Sequence, residues 1–81
     1  MKTTDYLEAI GKTKHPEANR TDWIEQVLAS PNERETQRDG RIRYWGYVPE
    51  AGRYVRVVTL EDGETVHNAF FDRGYARRMR G

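Results

Sequence analysis

The chain has no cysteine and almost no net charge: fourteen Lys and Arg against thirteen Asp and Glu leave +1 at neutral pH. Without cysteine there is neither a disulfide nor a thiolate metal site, so 81 residues must fold on a small apolar core and hydrogen bonds alone. No apolar run approaches the roughly 20 residues that span a bilayer. The opening MKTTDYLEAIGK lacks the apolar stretch of a secretory leader. A cytoplasmic protein with no membrane partner is expected. There is no Gly-rich phosphate loop, nucleophile elbow or Walker-type lysine. The two histidines have no acidic partners at ligand spacing, so no metal or other cofactor is expected.

What the chain does have is arginine and aromatics. Arginine supplies most of the basic residues, and Arg73, Arg77, Arg78 and Arg80 crowd the C-terminus with no acid among them. Arginine is the cation suited to bidentate phosphate contact and to stacking on bases. A solvated basic tail is the plainer alternative. Hydrophobic residues make up 36% of the chain, enough for one domain with its own core.

Periodicity divides the chain in two. Tyr6, Leu7 and Ile10 have helical spacing within residues 5–10, with Asp5 and Glu8 as a capping box and Gly11 as a C-cap. A polar connector holding His15-Pro16 follows, with a helical turn starting at the proline. Thr21 or Asp22 caps a second helix whose apolar stripe is Trp23, Ile24, Val27 and Leu28, and Ser30-Pro31-Asn32 ends it. From Glu33 the pattern alternates. Strands are predicted over 33–38, 41–48, 53–60 and 64–71, joined by tight turns at Asp39-Gly40, Pro49–Gly52 and Asp62-Gly63. Residues 73–80 form a short basic helix. The predicted fold is α+β: short N-terminal helices packed on one face of a four-stranded antiparallel sheet.

The turns also fix a register. Closing around Glu50-Ala51 pairs Tyr47 with Tyr54, Trp45 with Arg56 and Arg43 with Val58. Closing around Asp62-Gly63 pairs Leu60 with Thr65, Val58 with His67 and Arg56 with Ala69. Opposed residues share a face, and each face takes every second residue. One face then carries Ile42, Tyr44, Gly46, Val55, Val57, Thr59, Val66, Asn68 and Phe70, and receives the helices. The other carries Arg41, Arg43, Trp45, Tyr47, Tyr54, Arg56, Val58, His67, Ala69 and Phe71.

Arginine interleaved with aromatics on an open sheet can hold single-stranded RNA by phosphate pairing and base stacking. A half-solvated face whose aromatics pack on arginine stems is the alternative. RNA cleavage without a metal needs a proton acceptor, a proton donor and a cation; His67, Tyr54 or Tyr47, Arg56 and Arg43 are candidates on this face. His15 either docks at the edge of the same site or stays an exposed loop residue.

The order of these elements resembles small bacterial domains allied to the RelE/ParE and BrnT-like toxins of toxin–antitoxin systems. DWIEQVLASP followed by RIRYWGYVPEAGRYVRVVTLEDGETVHNAFFDR carries the likeness, across residues 15–73. The resemblance implies a RelE-like fold, metal-independent cleavage of mRNA on the ribosome, and neutralisation by a cognate antitoxin. It places His67, Arg56 and the Arg73/Tyr75/Arg77 tail among the functional groups. Two other functions fit the same residues. One is a non-catalytic RNA- or protein-binding module using Arg43, Trp45, Tyr47 or the Arg73–Arg78 tail. The other is an accessory protein that self-associates through Trp45, Tyr47, Tyr54 and Phe71.

Overall fold

The computed structural model describes residues 1–80. Three α-helices, α1 (Asp5–Thr13), α2 (Thr21–Ala29) and α3 (Arg73–Arg80), accompany four strands, β1 (Glu33–Thr36), β2 (Ile42–Val48), β3 (Arg53–Thr59) and β4 (Val66–Phe71). A 3₁₀ turn at Pro16–Asn19 joins α1 to α2, starting at the proline as predicted. The strands form one antiparallel meander in the order β1-β2-β3-β4, and the α+β class read from the sequence is correct. Among the described residues no helix is long and apolar enough to cross a membrane.

Helix α1 runs past its expected end. Its N-cap is Thr4, whose hydroxyl accepts from Leu7 N, rather than Asp5, and Gly11 lies inside the helix. That glycine lets Asn19 approach closely. The Asn19 amide donates to Gly11 O at 2.7 Å, and a Cβ at position 11 would collide with it. No side chain caps α2; Asp22 pairs instead with Arg20 at 2.8 Å. Its stripe is as expected: Ile24 and Val27 are buried, with Trp23 and Leu28 packed against the core.

The β2–β3 register matches the sequence reading, with Trp45 opposite Arg56 and Tyr47 opposite Tyr54. Ile42, Tyr44, Val55, Val57, Thr59 and Val66 are buried and face Leu7, Ile10, Ala18, Ile24 and Val27. At the first hairpin Gln37 pairs with Arg41, so the loop is three residues with Gly40 at φ +92° rather than two. At the last turn Asp62 accepts from Glu64 N, Thr65 N and the Thr65 hydroxyl, which holds its carboxyl down at about 2. The Leu60–Thr65 pairing is present.

The predicted register fails one step later. Thr59 pairs with Val66 but Val58 pairs with Asn68, so His67 is an extra residue in β4. This bulge reverses the rest of the strand: Asn68 and Phe70, expected on the helix face, join Arg56 and Val58, while Ala69 and Phe71 turn toward the core. Outside it, residues 2–4 run parallel to β4, with Val66 N donating to Lys2 O and Thr4 N to Val66 O. The second correction concerns α3, which lies against β3 beside the face expected to be open.

Gly46 sits where α2 crosses β2, and a Cβ there would come within 2.9 Å of Val27 Cγ2 and 3.3 Å of its Cα. Both groups are buried, so neither can swing away. Gly46→Ala is expected to lower stability by about 1–3 kcal/mol with the fold retained, measured by denaturant unfolding. An unchanged midpoint would contradict this packing.

Candidate functional site

Alternation along β2 and β3 puts Arg43, Trp45, Tyr47, Tyr54 and Arg56 on the face away from α1 and α2. Trp45 is nevertheless only 3% exposed, because α3 covers it. The cover begins at Asp72, immediately before α3. Its Oδ1 accepts from Tyr75 N at 3.0 Å, and its Oδ2 accepts from Trp45 Nε1 at 2.9 Å. The Tyr75 ring stacks on Trp45 at 5.2 Å and 10°, and meets Tyr54 edge-on at 5.0 Å. The Tyr75 hydroxyl donates to Glu33 Oε1 at 3.1 Å, tying α3 to the far edge of the sheet. Tyr54 in turn meets Tyr47 edge-on at 5.2 Å.

Arg56 lies beneath this cover. Its Nε is 3.7 Å from Asp72 Oδ2, too long for a hydrogen bond, and its guanidinium stacks on Phe70 at 4.3 Å. Burial holds Arg56 below the ordinary arginine value, against the pull of Asp72. Burial also opposes ionisation of Asp72, but the hydrogen bonds from Trp45 and the backbone, with the Arg56 charge, keep its carboxyl below the usual range. Burial raises the Tyr75 phenol, and its bond to Glu33 raises it further.

Beside this cluster a cleft of about 330 Å³ is lined by Glu35, Arg43, Trp45, Arg56, Asp72 and Arg78, among others. Arg43 pairs with Glu35 at 3.3 Å. Arg78 lies 4.9 Å over the Tyr75 ring and has no acidic partner among the described residues. The cleft therefore gathers three guanidinium groups and two carboxylates, with Arg43 paired to Glu35 and Arg56 facing Asp72, which leaves an excess of one positive charge on the unpaired Arg78. Such an arrangement accepts an anion.

Of the residues singled out from the sequence, Arg43, Trp45, Arg56, Tyr75 and Arg78 converge here, with Tyr54 adjoining through Tyr75. Tyr47, 46% exposed, lines a different cavity on the other flank of α3. Arg73 opens onto that same cavity, and Arg77 is exposed.

His67 does not join them. The bulge turns it to the N-terminal segment, where Nδ1 is 3.0 Å from the Thr4 hydroxyl and the ring stacks on Tyr6 at 4.8 Å. His15 is docked rather than loose: it is 3.5 Å from Glu17 Oε2 and packs on Phe70, the ring that also carries Arg56. Of the residues expected to self-associate, Trp45 is covered by α3 and Phe71 also packs against the core, while Tyr47 and Tyr54 stay in contact with each other. Two participants were missed. Asp72 before a basic run with Tyr75 three positions on is a helix-capping pattern, so the sequence held that signal. Glu35 gave none. Among the described residues no three metal-ligand side chains converge.

Burial pushes the His67 imidazole below its usual value, with the Arg41 charge acting the same way. The folded state thus binds a proton less readily than the unfolded one, near 6.5. The linked stability is full at neutral pH and declines as pH falls below about 6.5 toward the folded value. NMR titration is expected to place His67 below about 6.5, and Tyr6→Ala to move it back toward that value. A midpoint above 6.5 in the native protein would contradict the packing around Tyr6.

No protein-family model matches the chain, and neither a curated protein nor a solved structure matches it, so the functional reading rests on the geometry of these side chains.

Proposed function

We propose that the protein binds RNA through the arginine-lined cleft beside α3. The supporting observation is the convergence of Arg43, Arg56 and Arg78 on one cavity of about 330 Å³, where they outnumber the carboxylates of Glu35 and Asp72 and Arg78 has no acidic partner among the described residues. A phosphate entering there meets Arg43 together with Arg56, stacked on Phe70, and Arg78, stacked on Trp45 and Tyr75. The bases of the same strand lie toward Tyr47 and Tyr54, beyond the cover of α3. With about three phosphate contacts, affinity for a single-stranded oligonucleotide is expected to fall with a log–log salt slope near −2, and Arg43→Gln to flatten it by about 0.7. A flat salt dependence would overturn RNA binding and leave a protein partner.

Metal-independent cleavage of mRNA, as in a toxin–antitoxin pair, is a second reading that Glu35 favours. Its carboxylate lies in the cleft, half exposed, beside Arg43. It could take the proton of a 2′-hydroxyl as that oxygen attacks the adjacent phosphorus, while the three arginines hold the added negative charge. The departing 5′-oxygen would take a proton from solvent, leaving a cyclic phosphate. A cognate antitoxin would act by covering this cleft. Induced expression is expected to arrest growth and deplete mRNA with the wild type and with His67→Ala, and to do neither with Glu35→Gln. Arrest that persists in Glu35→Gln would sink this mechanism.

A further inference from the structure

A second cavity, of about 430 Å³, opens on the other flank of α3, between that helix and the β2–β3 turn. Its volume falls within the roughly 300–1,000 Å³ of small-molecule sites. The sheet side is aromatic. Tyr47 and Tyr54 meet at 68° and form a corner, and Phe71 continues the wall with Arg53 stacked on it at 4.7 Å. The turn leaves this corner uncovered: Gly52 lines the cavity, and there is open space where a side chain at that position would begin.

The helix side is cationic. Arg73, Ala76 and Arg80 lie at positions i, i+3 and i+7, which one helix face brings together. Ala76, a small residue, lies between the two arginines on that face. Neither arginine has an acidic partner among the described residues. The one carboxylate on the wall, Asp72, is compensated on its other flank by Trp45 Nε1, Tyr75 N and Arg56. A flat ring at one end and an anion at the other is the requirement this cavity sets.

We infer that this cavity is a nucleotide-binding site, taking a nucleobase in the Tyr47/Tyr54 corner and its 5′-phosphate between Arg73 and Arg80. Edge and face contacts with tyrosine tolerate any base, and paired arginines match phosphate geometry. The occupant is either a free mononucleotide or one nucleotide of a bound RNA. The second source rests on the RNA-binding reading above. The first does not.

NMR titration of the wild-type protein with 5′-AMP, ribose 5-phosphate and a hexa-adenylate separates these cases. AMP is expected to shift the Gly52 and Ala76 amides and to bind about tenfold more tightly than ribose 5-phosphate, the share of the base stack. Tyr47→Ala, at an exposed ring, is expected to weaken AMP about tenfold. The Arg73→Gln/Arg80→Gln pair is expected to reduce AMP to the affinity of adenosine. Equal binding of AMP and ribose 5-phosphate, or an AMP affinity indifferent to Tyr47→Ala, would overturn the site. A hexamer that displaces AMP identifies an RNA nucleotide as the occupant; one that binds alongside AMP identifies a free mononucleotide. Hexamer binding without any AMP binding would overturn this site and leave the RNA reading standing, and AMP binding without the hexamer would do the reverse.

Discussion

The carboxylate of Asp72 joins the last strand, the last helix and the buried face of the sheet. One oxygen accepts from Tyr75 N and so caps α3; the other accepts from Trp45 Nε1 and faces Arg56. Capping sets where α3 starts, and the indole bond sets which way it leaves the sheet. Tyr75 then falls flat on Trp45 and reaches Glu33 with its hydroxyl. Trp45 and Arg56 would otherwise stand on an open surface, and both cavities flanking α3 include Asp72 in their walls. A half-buried carboxylate with this many donors is costly to leave without them, which is why a helix of eight residues with one buried side chain can hold its place.

The elements were legible where local chemistry decides them. The Trp23/Ile24/Val27/Leu28 stripe, the places of the three glycine turns and the Tyr47–Tyr54 hairpin register all follow from spacing and turn residues, although the first turn is one residue longer than expected. Gly46 on the helix-facing side has a plain reason, since α2 brings Val27 against it. The failure at β4 is a failure of period. One extra residue at His67 moved every later side chain to the opposite face, and a strand ending in Phe70-Phe71 offers an aromatic to either face. The spacing of Val66 and Ala69, three rather than two or four, was the available sign.

The candidate site was legible as a set of residue types and not as a place. Arg43, Trp45, Tyr54 and Arg56 were correctly put on one face, but the cover was invisible because α3 reads as a solvated basic tail. A single aromatic among arginines, Tyr75, is its only buried side chain. Covering Trp45 removes the strongest stacking platform from solvent and divides the arginines between two flanks: Arg43, Arg56 and Arg78 on one, Arg53, Arg73 and Arg80 on the other. His67 left the site for the same reason that β4 changed register, and the carboxylates that the first group does face are Glu35 on β1 and Asp72.

The two tryptophans allow the central claim, that α3 closes over the sheet, to be tested in one experiment. Trp45 Nε1 donates to the half-buried Asp72, whereas Trp23 Nε1 donates to Glu50 at an exposed position. Hydrogen exchange of the two indole N–H groups, followed by NMR, is expected to show Trp45 exchanging far more slowly than Trp23. Equal and rapid exchange of both would mean that α3 does not cover the face, and the cavities on its flanks would not exist.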